Sequence, residues 1–235
     1  DIHPDGAATR VSYGLMNLTH LDGHEKVTYL EPGKKYKATV TLDVCGHVFP
    51  KGHRVRLAVA NSFWPMIWPS PEKVTLKLDL STAEFTLPIF TGKDTEGPNM
   101  EAKCAPLTPM TVLKEGVVNR QITYDLLTDS WTSITDGVGG VFGEGIYRFD
   151  DIGTVVEHNL KRILTVSNSD PSDARYEIIQ KMKNGRPGWE IDCDIDVVQT
   201  ADKENFYLTG FMDASINGEH AFHRDYDVTV PRNGL

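Results

Sequence analysis

Period-two alternation of apolar and polar residues runs through most of this chain, and helical periodicity is nearly absent from it. Tyr36, Ala38, Val40, Leu42 and Val44 fall on one side of an extended segment, and Lys35, Lys37, Thr39, Thr41 and Asp43 on the other. That is the pattern of a strand with one face buried and one face wet. It returns at Val55, Leu57 and Val59 after the turn residues Pro50-Lys51-Gly52-His53, at Val74, Leu76, Leu78 and Leu80, and at Phe85 and Leu87 ahead of Pro88. Short strands cut by glycine and proline turns predict a sandwich or jelly roll.

From Thr91 to about Gly116 the alternation stops. Gly92-Lys93-Asp94-Thr95-Glu96-Gly97-Pro98 and Ala105-Pro106-Leu107-Thr108-Pro109 carry prolines and charges with no sustained period, which reads as a linker or surface strap. Long candidate strands follow at about 117–127, 155–166, 174–183, 189–200, 205–216 and 219–230. Their connections are turn-like: Asn184-Gly185-Arg186-Pro187-Gly188 is one, and Asn217-Gly218 is the sequence a type I′ hairpin turn demands. Asp170-Pro171-Ser172-Asp173 is the one stretch that reads as a helical turn, a carboxylate cap ahead of a proline. The expected fold is all-β: a jelly-roll, galactose-binding-like β-sandwich over 1–92, a linker over 93–116, and an antiparallel β-meander over 117–235.

Composition limits the partners. Among 235 residues, 24 Lys+Arg stand against 33 Asp+Glu, a net charge of −9, which argues against nucleic acid. Cys45, Cys104 and Cys193 are widely spaced and form no C-x-x-C, so neither a disulfide framework nor a zinc ribbon is expected, and a reducing, cytoplasmic setting is. No apolar run approaches the roughly 18 residues of a membrane span, so no membrane partner is expected. Asp1-Ile2-His3-Pro4-Asp5-Gly6 does not read as a signal peptide. A chain starting on Asp1 rather than Met is expected to be a fragment or processed product.

Four constellations invite chemistry. Ser12 in Arg10-Val11-Ser12-Tyr13-Gly14 suggests a hydrolase elbow, but the first glycine of G-x-S-x-G is missing and a strand pattern surrounds it. His20 and His24, with Asp22 and Glu25 nearby, have zinc-site spacing on a helix, yet Gly23 makes the stretch a loop, and solvated histidines are expected. Asp192, Asp194 and Asp196 share one face of a strand; Val197 and Lys203 occupy the positions where a Ca²⁺ loop needs Gly and Glu, so cross-strand pairing with Lys181, Lys183 and Arg186 is expected instead. No catalytic residue, metal or cofactor is therefore expected in this chain. Asn17-Leu18-Thr19 fits a glycosylation sequon, a common chance match.

The fourth is Phe63-Trp64-Pro65-Met66-Ile67-Trp68-Pro69-Ser70-Pro71, with two of the four tryptophans and three prolines in nine residues. Prolines bar it from a sheet interior. Trp64, Pro65, Trp68 and Pro69 read as an aromatic wedge buried against another domain; the alternative is a carbohydrate-binding platform built on Trp64 and Trp68.

At these residues a family resemblance emerges. Val11 to His20 (VSYGLMNLTH), Leu30-Glu31-Pro32-Gly33 with Tyr36, Phe49 to Ala58 (FPKGHRVRLA), and Trp64-Pro65 through Trp68-Pro69-Ser70-Pro71 resemble the C-terminal jelly-roll domain of CocE/NonD hydrolases, the family of X-Pro dipeptidyl-peptidases, cocaine esterase and related acylases. The likeness is dense and in order over about 1–90. Residues 120–235 look like the extra β region that follows the jelly roll in some longer members. The resemblance implies a parent serine hydrolase whose Ser-His-Asp triad lies in an α/β-hydrolase domain upstream, and none of the triad positions maps onto this chain. It implies a non-catalytic β region that braces that domain and shapes substrate access. It also implies a chain that begins inside the jelly roll, whose unpaired edge invites homodimerisation.

Overall fold

The computed structural model describes residues 1–92, 104–140 and 143–235. Among the described residues the chain is all-β: nine strands form a single antiparallel sheet, and the one helical element is a 3₁₀ turn over Leu18–His20. The strands are β1 (Met110–Lys114), β2 (Val117–Asp125), β3 (Ser130–Val138), β4 (Ile146–Phe149), β5 (Thr154–Ser167), β6 (Arg175–Arg186), β7 (Trp189–Ala201), β8 (Asn205–Ile216) and β9 (Glu219–Pro231).

From β5 to β9 each strand pairs with the next, the expected meander. One edge of β5 carries β6; the other is divided between β4, at Thr154–Val156, and β3, at Asn159–Ser167. β2 lies outside β3, and β1 outside β4. Asn217 and Gly218 hold φ of 53° and 79°, so both central residues of the β8–β9 hairpin take the positive φ that a type I′ turn requires. Asp170 is the cap of a tight turn rather than of a helix: its carboxylate accepts from the Ser172 amide at 2.9 Å, and its carbonyl from the Asp173 amide at 3.1 Å.

Alternation gives this sheet two unlike faces. Ile178, Val197 and Gly210 stand in line on one face, with Met182, Cys193 and Ala214 beside them. Lys181, Asp194 and Asp213 stand in line on the other. Val156, Ala174 and Cys193 are the buried apolar residues of this part, and Ile2 that of the first part.

Three differences from the sequence expectation are structural findings. Asn184, Gly185 and Arg186 extend β6 instead of turning, and the reversal falls at Pro187-Gly188, where Gly188 takes φ of 84°. Met110–Lys114, inside the expected linker, pairs with β4, because a short strand lacking period-two contrast can still complete a sheet edge; most of the remaining linker lies outside the described residues. The alternating segments of 1–92 form no ladders among the described residues: isolated bridges join Ile2 to Ala8 and to Arg54, and the Asp43 amide donates to the Tyr13 carbonyl at 2.9 Å. Their apolar members are exposed, Val44 completely, apart from half-buried Leu42. A half-buried strand needs a second layer to face, and the nine-stranded sheet meets this part of the chain mainly through residues 63–72 and the 17–19 turn.

Candidate functional site

The aromatic segment finds its partner inside the chain. After Val59 the prolines at 65, 69 and 71 withhold the amides a ladder needs, and the segment turns on itself, the Ile67 amide donating to the Phe63 carbonyl at 2.9 Å. That turn brings Trp64 and Trp68 together, ring centroids 5.5 Å apart at 72°. Tyr176, at the start of β6, and Phe206, at the start of β8, project from the apolar face at the same end of the sheet. Trp64 meets Tyr176 at 4.9 Å, and Trp68 meets Tyr176 at 5.3 Å and Phe206 at 5.7 Å. These tilted and edge-to-face contacts set the positive ring edge of one residue against the negative face of the next. The Tyr176 hydroxyl donates to the Pro65 carbonyl, and burial holds its pKa above the ordinary tyrosine value.

Arg232 closes the cluster. It is 2% exposed, with its guanidinium 4.9 Å above the Phe206 ring. Nη2 donates to the Pro69 carbonyl at 2.6 Å, Nη1 to the Asp202 carbonyl at 3.0 Å and Nε to the Leu235 carbonyl at 2.9 Å. Desolvation lowers its pKa and the Asp202 charge raises it; a guanidinium stays charged under such a shift. Beside it, Asn17 Nδ2 and Thr19 Oγ1 both donate to the Gly234 carbonyl, at 3.0 and 2.7 Å, and Lys203 reaches Glu72 at 3.4 Å. The sequon nitrogen of Asn17 is thus committed to a protein contact, while its Oδ1 accepts from the Thr19 amide and caps the 3₁₀ turn.

The other candidates fall as follows. Ser12 Oγ donates to the Asp43 carbonyl at 2.6 Å, a backbone tie that leaves its proton with no base. His20, which ends the 3₁₀ turn, and His24, on the loop after it, do meet, Nδ1 to Nδ1 at 3.0 Å, and the buried Nε2 of His20 has no hydrogen-bond partner among the described residues. Lys181 stands 3.6 Å from Asp194, and Lys183 3.7 Å from Asp192 and 2.8 Å from Glu190, while Arg186 lies over the Trp189 ring. Sequence reasoning missed Tyr176, Phe206 and Arg232. Tyr176 and Phe206 open their strands, where an aromatic could have been flagged; nothing in the sequence marks Arg232. It also missed a cluster of Asp1, His3 and His53, whose ligand atoms lie within 4.8 Å of one another.

Residues 1–104 match the family model of the X-Pro dipeptidyl-peptidase C-terminal non-catalytic domain. Over 84 residues the chain is 37% identical to a protein of Streptomyces avermitilis described as "Putative Xaa-Pro dipeptidyl-peptidase", an alignment covering 36% of this chain and 12% of that relative. The chain thus matches about an eighth of the relative's length. No solved structure matches it.

Proposed function

We propose that this chain is the accessory C-terminal β region of a serine hydrolase cleaving ester or amide bonds, a dipeptidyl-peptidase or acyl hydrolase whose catalytic α/β domain lies in the same parent protein. The observation that carries this reading is the family match over residues 1–104, a non-catalytic domain by description. Its role is to brace the catalytic domain and shape the approach to its pocket. Trp64 and Trp68 are engaged with Tyr176 and Phe206, so their part is to hold the two β regions together. The surface left for the catalytic domain is that of the alternating segments, where Leu57, Leu78 and Leu80 lie exposed. Apolar area of that kind marks an interaction site rather than a solvated face. A second copy is a further partner in this reading, through β9, an edge strand exposed along its whole length.

The test is hydrolysis of X-Pro-p-nitroanilides and p-nitrophenyl esters by this chain alone and by the parent protein that includes the upstream catalytic domain. Activity confined to the parent, reduced there by Leu78→Asp at unchanged expression, is the expected result. Turnover by the chain alone would overturn the reading.

A further inference from the structure

Asp1, His3 and His53 stand together because three pieces of backbone force them to. In the extended stretch Asp1-Ile2-His3 the outer residues point to one side and Ile2 to the other, and Ile2 is 9% exposed. Ile2 is locked to Arg54 by reciprocal hydrogen bonds of 2.8 and 2.9 Å. A turn folds the chain back: the Gly6 amide donates to the His3 carbonyl at 3.0 Å, the His3 amide to Ala7 at 2.9 Å and the Thr9 amide to Asp1 at 2.9 Å. His53 ends the Pro50–His53 turn, where Gly52 takes φ of +90°, and directly precedes the Arg54 that pairs with Ile2. His53 is therefore delivered to the side on which Asp1 and His3 project.

The side chains are ordered around the carboxylate. Asp1, its side chain 4% exposed, accepts from His53 Nδ1 at 2.8 Å on one oxygen and from His47 Nε2 at 3.0 Å on the other. The His3 and His53 rings lie 4.6 Å apart, and His3 Nε2 contacts Thr9 Oγ1 at 3.2 Å. Among the described residues, the ion-pair partners of this nearly buried carboxylate are imidazoles, with neither lysine nor arginine among them. Two imidazoles plus a carboxylate are the donor set that first-row divalent metals take.

We propose that Asp1, His3 and His53 form a binding site for a divalent transition-metal ion of the Zn²⁺ class, with His47 orienting the carboxylate from outside. Three protein ligands leave a coordination position for water. The ion takes the place of the one proton between His53 Nδ1 and Asp1: a neutral ring then carries its proton on Nε2, and an imidazolium releases one proton to solvent as the ion binds. Because the ligands come from residues 1–3 and from the 50–53 turn, the ion staples the turn of residues 1–9 to that turn. Nothing in this inference depends on the catalytic parent.

The test is a calorimetric titration of the chain with Zn²⁺, alongside the visible absorption spectrum of the Co²⁺ form. One ion per chain is expected, with a Co²⁺ spectrum of a nitrogen and oxygen donor set and a higher melting temperature in excess Zn²⁺. His3→Gln and His53→Gln are each expected to weaken binding roughly tenfold or more, as changes at a metal shell do, while the double variant His20→Gln/His24→Gln leaves it unchanged. Should a variant fail to fold, imidazole NMR of the unaltered chain decides: Zn²⁺ must shift the ring signals of His3 and His53. Absence of binding, or binding abolished by the His20/His24 variant and shifts confined to those two rings, would overturn the proposal.

Discussion

Arg232 Nη2 donates to the carbonyl of Pro69 at 2.6 Å, joining residues 163 positions apart. The same guanidinium serves the Asp202 and Leu235 carbonyls, so one buried cation ties together three acceptors, that of buried Pro69 among them. Arg232→Met keeps the stem and removes the donors. A loss of about 2–3 kcal/mol is expected, the scale of hydrogen bonds to a charged group, read from the urea midpoint by tryptophan fluorescence. Arg232→Lys should recover only part of it, since an ammonium lacks the planar fork. An unchanged midpoint in Arg232→Met would remove the clamp role.

Trp68 touches Trp64, Tyr176 and Phe206. Trp68→Ala is expected to cost about 2–4 kcal/mol, the partly exposed ring placing it at or below the usual range for a buried tryptophan. The meander should survive, because its ladders do not pass through the clamp. Far-UV dichroism that holds while limited proteolysis frees the first region is the predicted pairing of results.

The β8–β9 ribbon carries a pH dependence. Ladder register shifts between Ala214 and Ser215, so Ala221 is left unpaired, and His220 and His223 come to one face. Both approach Asp213, at 3.6 and 3.0 Å, and His223 also reaches Asp225 at 3.3 Å. Hydrogen bonds to Asp213 first, then to Asp225, raise the His223 pKa from 6.5. A raised folded-state pKa gives stability that is complete below the unfolded value and is lost as pH rises through the folded one. Amide exchange in β9 should therefore accelerate from mildly acid to alkaline pH, beyond the intrinsic rate, and His223→Gln should flatten the difference.

The turn carboxylates act in the opposite sense. Asp202 is lowered from 3.8 by the Tyr207 hydroxyl and the Asn205 and Glu204 amides, and Asp170 by the Ser172 hydroxyl and amide. Their contribution is present above the unfolded pKa and disappears as pH falls through the folded one. Acid titration of Asp202→Asn should show a shallower loss of stability than the parent chain, and an identical acid limb would contradict it.

Gly210 faces Val197 across β7 and β8, and a Cβ there would strike the Asp196 carbonyl. Its φ is ordinary, so space rather than backbone freedom makes the position a glycine. Gly210→Ala is expected to destabilise by about 1–3 kcal/mol, the cost of overpacking, with the β7–β8 amides the first to lose exchange protection.

Much of the meander was legible because alternation is a local signal. β8 lies where period two puts it, and Asn217-Gly218 names its own turn. β3 and β4 escaped since Thr132, Ser133, Thr135 and Asp136 blur the contrast in one and the other has four residues. Trp64 and Trp68 were legible as an aromatic cluster set apart from the strands, but no local pattern says that they meet Tyr176 and Phe206. The same holds for Asp1, His3 and His53: the i, i+2 spacing is visible in the sequence, whereas the third member arrives through the pairing of Ile2 with Arg54.

The Asn17 to Gly234 contact bridges 217 positions. The entropy of closing so large a loop must be met before its bonds return anything, and long-range contacts of this kind slow a chain's assembly. Hairpins β5 to β9 close short loops and can form while the rest of the polypeptide is still searching. The clamp is then the final event of folding and, held by few residues, the first to open, which makes the unclamped chain the intermediate a refolding experiment should trap.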